Sequence, residues 1–374
     1  MCSTCAMVQT PGLNEAAAGR LPPADPKAVE AFAGRLVGMV NDAAVCFMIS
    51  LGHRTGLFDA MSDGRWHTSS TLAESAGLSE RYVREWLGAM TCGRIVEHDR
   101  DAVTYRLPAE HAAKLTRAAT PSNLAQVMQW LSVMGSVEDD VLAAFEHGRG
   151  VPYSAYRRFN DVMADESSQS VVAALDGRIL PLVPGIEGRL EAGIDVLDVG
   201  CGEGKALLHL AGRFPNSRFV GRDLLPEAVA VATAHARQSG LSNVRFECAD
   251  VSLMTDEQAF DLVTTFDAIH DQAKPDVVLT AIRRALRAEG VYLCQEIRAE
   301  TAHADNLDNP LGAFVYAIST MHCMSVSLAQ GGRGLGAAWG RTLCHKYLTK
   351  AGFDDVVRHD PPEDPMNDFY ICRL

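Results

Sequence analysis

No apolar stretch of this chain approaches the ~20 residues that a membrane-spanning helix needs, and Met1 to Asn14 carry neither a basic n-region nor an apolar h-region. Neither a membrane span nor a secretory signal is therefore expected. Paired cysteines are missing too. The ten cysteines lie scattered singly, which excludes a disulfide framework and suits a reducing, cytoplasmic setting. Cys2 and Cys5 form one Cys-x-x-Cys, but no second pair follows at zinc spacing. It reads as an incidental feature of a tail, and no metal is expected. Basic charge is in deficit: 34 lysines and arginines against 47 acids leave a net charge of −13, which disfavours a general polyanion binder. The glycine run Gly331-Gly332-Arg333-Gly334-Leu335-Gly336 lacks the Lys-Ser/Thr pair of a P-loop; it reads instead as a mobile loop.

What the chain does have is Val196-Leu197-Asp198-Val199-Gly200-Cys201-Gly202-Glu203-Gly204, followed by a helical pattern from Lys205. An apolar run, an acid, and glycines at alternate positions predict a buried parallel strand, a tight turn and a helix start. Glycine is needed where backbone takes unusual φ/ψ or a ligand lies against it, and such a crevice at the carboxyl end of a strand is where open α/β sheets bind nucleotides. The third glycine comes one residue too early for the dinucleotide pattern G-x-G-x-x-G. Arg218 to Asp223 reads as a second strand ending in an acid, Val244 to Val251 as a third with Asp250, and Phe260 to Phe266 as a fourth. Ala288-Glu289-Gly290 turns into a fifth strand from Val291, Phe353 to Val357 is a sixth and Phe369 to Arg373 a seventh.

This series resembles motif I and the following strands of the class I S-adenosylmethionine-dependent methyltransferases. The resemblance implies S-adenosylmethionine as cofactor. Asp198, Gly200, Gly202 and Gly204 would shape its turn and Asp223 would hold both ribose hydroxyls. Asp250 and Val251 would bracket adenine, with Leu224 and Phe266 beside them. A carboxylate suits the ribose because it is acceptor-only and takes two donors at once. Ala288-Glu289-Gly290 in place of Pro-Gly-Gly, and Arg222 where an apolar residue is common, depart from the family pattern without touching these acids. No Asn-Pro-Pro-Tyr follows the fourth strand, which disfavours nucleobase and glutamine N-methylation.

Four segments are expected. Residues 1–27, rich in proline and glycine, read as a flexible arm. Residues 28–120 read as a mostly helical winged-helix domain. In it, Val37, Val40, Ala44, Phe47, Met48 and Leu51 recur at helical spacing, and Thr71 with Glu74 fits a capping box. Ser79 can cap a second helix with Val83, Leu87 and Met90 inside, and Ile95–Glu97 with Thr104–Leu107 make a wing. Arg81, Arg84 and Arg94 are balanced by Glu80, Glu85 and Glu97. The basic footprint of a nucleic-acid reader is thus missing, and a dimerisation or lid role is expected. Residues 121–190 form a helical bridge and 191–374 a Rossmann-like, seven-stranded methyltransferase domain. The layout is similar to small-molecule O-methyltransferases with an N-terminal winged helix, in particular a bacterial group with a mycobacterial structural example.

In that family the run Phe266-Asp267-Ala268-Ile269-His270-Asp271-Gln272 corresponds to a His-Asp-Trp segment whose His is the general base. The resemblance assigns the base to His270, with Gln272 replacing Trp. A side chain with a pKa of about 6.5 suits proton removal near neutrality. The segment after the fifth strand lines the acceptor site in such enzymes, so His322, on the apolar stretch Phe314 to Leu328, is a second candidate for the acceptor site or catalysis, with Met324 beside it. Tyr153, Tyr156 and Met163, on an aromatic turn and the helix after it, are candidate acceptor contacts, or else interdomain core. The expected reaction is methyl transfer to a small-molecule acceptor, to oxygen before nitrogen or sulfur, by a cytoplasmic homodimer with no nucleic-acid or membrane partner. A winged-helix regulator that senses a metabolite is the alternative.

Overall fold

The computed structural model describes residues 23–374; Cys2 and Cys5, and most of the predicted arm, lie outside the described residues. The chain divides into two compact units at Val45 and Cys46, within the helix Pro26–Thr55.

In the second unit a helix-turn-helix comes first. The helix Ser69–Ala76 is followed by Gly77 in the left-handed region, and then by the helix Glu80–Cys92. Val83, Leu87 and Met90 are buried, together with Phe58, Met61 and Leu72. The capping box stands one turn earlier than expected: Thr68 is the N-cap, and its hydroxyl and that of Thr71 exchange bonds with each other's backbone N–H. Thr71 is thus the third helical residue rather than the cap. Ser79 occupies the N-cap of the second helix without a side-chain bond. The wing is the hairpin β1 (Glu97–Asp99) and β2 (Thr104–Arg106). β1 starts two residues later than predicted because Ile95 N–H still bonds back to Met90 of the preceding helix.

The bridge is a run of helices, including Trp130–Gly135, Glu138–His147 and Phe159–Ser167, with a π turn at Ser168–Val172. Asp165 anchors it. Its carboxylate accepts from His53 Nε2 (2.8 Å), Gln129 Nε2 (2.7 Å) and Gln169 Nε2 (2.7 Å). Burial raises its pKa, but His53 and the two amides outweigh that and hold it down at about 2.

The remaining strands are β3 (Asp195–Val199), β4 (Arg218–Asp223), β5 (Val244–Cys248), β6 (Phe260–Phe266), β7 (Leu286–Ile297), β8 (Asp355–His359) and β9 (Asn367–Arg373). They form one sheet in the order β5-β4-β3-β6-β7-β9-β8, with β9 antiparallel to both neighbours. Alternate residues serve two cores. Leu197, Val199, Val263, Tyr292 and Cys372 face one; Val196, Leu262, Leu293 and Ile371 face the other. A strand covered on both faces reads as a continuous apolar run, as Val196–Val199 does. Ala288-Glu289-Gly290 lies inside β7 as an irregularity, where the pairing with β6 slips between Phe260 and Leu262. The sixth strand of the domain starts at Asp355 rather than Phe353, whose side chain is buried in the core. Arg222 is explained by an ion-pair bridge: it binds Glu247 on β5 (2.8 Å) and Asp256 (2.5 Å).

Two helices reach the length and apolarity of a membrane span, contrary to the sequence reading. Pro26–Thr55 has 30 residues, with an 18-residue stretch of mean hydropathy 1.4, and Gly312–Ala329 has 18 residues and 1.3. The second is three segments, helix, π turn and helix, joined end to end, and it packs against Trp130, Phe159 and Tyr156.

Candidate active site

The order in which strands are added reverses at β3, with parallel β4 on one side and parallel β6 on the other. At such a switch point the loops part and leave a crevice at the carboxyl ends of the strands. Here it is a cavity of about 320 Å³, lined from the β3–β5 side by Asp198, Gly200, Gly202, Asp223, Leu224, Asp250 and Val251. Phe266, Asp267 and His270 line it from the end of β6.

The turn after β3 is tied to β4 by Gly200 and Cys201 N–H groups donating to Arg222 O. Gly202 has φ +52°, and a Cβ there would meet no protein atom within 4 Å, so the chain leaves a cradle open to a ligand. Gly204, assigned from sequence to the cofactor, does other work: a Cβ would stand 2.4 Å from Phe246, so it lets the helix Lys205–Arg213 close on the sheet. Asp223 accepts from Gly202 N–H (2.8 Å) and Leu225 N–H (2.9 Å). Asp250 caps a short turn by accepting from Ser252 N–H.

Asp198 is buried and accepts from Thr264 Oγ1 (2.7 Å). Burial, with a smaller push from Asp223, raises its pKa to about 7. Burial raises that of Asp223 as well. These carboxyls fit S-adenosylmethionine, which brings a sulfonium and an ammonium. A cation favours their ionised form, so binding at pH 6.5 should release protons, and affinity should climb between pH 6 and 7 and then level off. Calorimetry in two buffers of different ionisation enthalpy reads the proton count; uptake at pH 6.5 would contradict the assignment.

His270 is buried and its Nδ1–H donates to Glu296 Oε2 at 2.6 Å. Glu296, at the end of β7, is itself held by Ile269 N–H (3.1 Å) and Trp339 Nε1–H (3.0 Å). Burial presses the imidazole pKa down, but the charge of Glu296 and the bonds to Glu296 and Cys323 outweigh it and leave the pKa well above its ordinary value. A ring whose Nδ1–H is committed to a carboxylate has Nε2 as its acceptor when neutral. Glu296 thus orients His270. Its position at a strand end was visible in sequence; its partnership was not. Asp271 accepts from Tyr153 OH (2.7 Å), and Gln272, in the Trp position, bonds Ala268 O.

His322 lies in the π turn Ser319–Cys323, 3% exposed, stacked on Phe159 with ring centroids 4.6 Å apart. Burial and the charge of His270 lower its pKa to about 3, so it is neutral. Tyr153, Met163 and His322 line the cavity. Tyr156 and Met324 do not. Tyr156 stands edge-on to His322 with its hydroxyl on Met321 O, and Met324 lies beside Gly334 and Gly336. Trp130, Glu166 and Asp267 also line the cavity and carried no sequence signal. The glycine run is not a free lid: Arg333 and Gly336 N–H groups donate to Ala273 O and His270 O, and Arg333 pairs with Asp276.

Residues 43–117 match the Rv2258c-like winged HTH domain and residues 190–343 a methyltransferase domain. A ubiquinone biosynthesis O-methyltransferase of Cereibacter sphaeroides is 28% identical over 225 residues, 59% of this chain and 81% of that one. A 2-heptyl-1-hydroxyquinolin-4(1H)-one methyltransferase of Mycobacteroides abscessus is 46% identical over 61 residues, 16% of this chain and 26% of that one. Human N-acetylserotonin methyltransferase, solved with its methyl donor, shares the fold at TM-score 0.66 and 18% identity, covering 94% of this chain and 99% of that one. The mitomycin 7-O-methyltransferase MmcR does so at 0.62 and 15%, covering 93% and 100%. This chain is an S-adenosylmethionine-dependent methyltransferase, with an Rv2258c-like winged helix-turn-helix domain ahead of its methyltransferase domain.

Proposed function

We infer that the chain transfers a methyl group to an oxygen of a small, largely apolar acceptor, with His270 as general base. The observation that carries this is His270 on the cavity wall, paired behind the wall with Glu296 at the end of β7. A hydroxyl acceptor must lose its proton as the new bond forms; a thiolate or thioether needs no base at that moment. S-adenosylmethionine supplies a methyl group already activated by the sulfonium. The chain's own task is to hold the acceptor in line, exclude water and take the proton at His270 Nε2, with Glu296 stabilising the imidazolium. Asp198, Asp223, Asp250, Val251, Leu224 and Phe266 would hold the cofactor. Names of relatives support oxygen as the acceptor atom. Incubation with methyl-labelled cofactor and a panel of small phenols, thiols and amines tests the reading. Label on the thiols or amines but on no phenol would overturn it.

The same reading makes the chain a homodimer in the cytoplasm. Within the first unit's part of Pro26–Thr55, Phe32, Leu36 and Val40 are exposed, and their helical spacing makes a stripe suited to a second copy. Arg35 and Asp42 put charge on the neighbouring face of the helix, which suits a protein interface better than a bilayer. Within Glu80–Cys92, Arg81 and Arg84 are paired with Glu85 and Glu80, which leaves little positive charge for DNA. Cys92, Cys201, Cys248, Cys294, Cys323, Cys344 and Cys372 form no disulfide among the described residues, in keeping with a reducing compartment. Light scattering at micromolar concentration should give twice the chain mass, and Leu36→Glu should shift it to the monomer. A monomeric parent would refute the dimer.

A further inference from the structure

Two buried side-chain atoms among the cavity-lining residues have no hydrogen-bond partner among the described residues: Asp267 Oδ1 and His322 Nε2. Neither position has a structural excuse. Asp267 uses only its other oxygen, on Gln295 Nε2 at 2.6 Å, and holds φ +51°, a left-handed conformation unusual for a residue with a side chain. His322 is 3% exposed and enclosed by the rings of Trp130, Tyr153, Tyr156 and Phe159. A buried polar atom without a partner is destabilising, and such groups persist where a ligand completes them.

The ionisable groups around these two atoms are mostly acids. Glu166, whose carboxylate accepts from Trp130 Nε1, and Asp271 join Asp267 on the lining. Burial raises the pKa of Glu166 to about 7 and that of Asp267 to about 8, the latter helped by Glu296. The cations on the same lining are engaged or at the rim. Lys205 stands 3.7 Å from Glu203, Arg222 is bound by Glu247 and Asp256, Lys274 is exposed, and His270 is matched by Glu296. Among the described residues, no arginine or lysine is placed to receive an anionic group beside Asp267 and His322. The walls there, Trp130, Tyr153, Phe159, Phe314 and Ile318, are flat or apolar.

We propose that the acceptor is a planar hydroxyarene without an anionic substituent, whose N–H or protonated nitrogen is taken by Asp267 and whose second polar atom meets His322 Nε2. This rests on the oxygen-transfer reading above. Asp267 is then a specificity residue: a protonated nitrogen draws it into its ionised form and pairs with it, whereas a carboxylate or phosphate would add negative charge to a wall that already holds Asp267, Glu166 and Asp271. His322, neutral, accepts or donates one bond without adding charge.

The test is calorimetric binding of three matched naphthols, unsubstituted, aminomethyl and carboxylate, to the full chain loaded with S-adenosylhomocysteine, which reports recognition apart from transfer. The aminomethyl compound should bind at least about tenfold more tightly than the unsubstituted one, and the carboxylate at least about tenfold more weakly. Asp267→Asn should bring the three within about threefold of one another. Its S-adenosylhomocysteine affinity should match the parent, which shows that the variant is folded. His322→Phe should weaken all three alike. A carboxylate that binds as well as the unsubstituted naphthol, an unchanged ranking in Asp267→Asn, or no binding of any naphthol would overturn the proposal. Labelled methyl transfer is measured in parallel. Transfer to phenols with no ranking sinks this inference alone, whereas the expected ranking with label passing only to thiols or amines sinks the oxygen-transfer reading alone.

Discussion

Replacing His270 by alanine is expected to lower kcat by roughly 10²–10⁴ while S-adenosylmethionine affinity hardly moves. The side chain stands at the end of β6 on the far side of the switch point from Asp223 and Asp250, so its loss removes a proton acceptor and no cofactor contact. The pH profile gives the sign. The base works as neutral imidazole, so the rate rises as pH climbs through its pKa. Glu296 and Cys323 outweigh burial and hold that pKa above the ordinary value of about 6.5, so the rise should be centred on the alkaline side. Glu296→Gln should move the rise to lower pH and reduce kcat, a shift that a merely structural loss would not produce. His322→Ala should act mainly on acceptor KM. Full activity in His270→Ala with a large loss in His322→Ala would transfer the base to the second histidine. Full activity in both would mean that positioning alone carries the transfer, as for a thiolate.

Asp223→Ala is expected to weaken S-adenosylmethionine binding by roughly 30- to 1000-fold, since two charge-assisted hydrogen bonds contribute about 1.5–3 kcal/mol each and are only partly additive. The variant also loses the acceptor that holds Gly202 N–H (2.8 Å) and Leu225 N–H (2.9 Å), so the cradle itself loosens. Asp223→Asn keeps one oxygen for those donors and should lie between the two. Calorimetry that finds parent affinity in Asp223→Ala would remove this carboxylate from the ribose site.

The parts of the molecule that were legible in the sequence share one property: their geometry is set within a few residues. The run Val196–Gly204 had to be a buried strand, a turn and a helix start, because apolar residues, an acid and glycines at that spacing satisfy few other backbones. Val83, Leu87 and Met90 declared the inner face of a helix by spacing alone. Local reading erred where a distant bond decided the boundary. Ile95 N–H still belonged to a helix and so delayed β1. The hydroxyl of Thr71 served as the third residue of a cap and not as the cap itself.

By itself the sequence determined the fold class, the switch-point cradle and the acids at the ends of β3, β4 and β5, because strand order and glycine spacing are written in neighbouring residues. Only the tertiary structure decided which side chains meet across the cavity. Glu296 reaches His270 from another strand, Trp130 and Phe159 close around His322 from the bridge, and Asp267 and His322 are left with atoms that no described residue satisfies. Those encounters join residues 26 to 192 positions apart, and no local pattern of spacing or charge records them. They follow from how packed strands and helices bring separate stretches of chain to one place, where burial then sets the charge each group can carry.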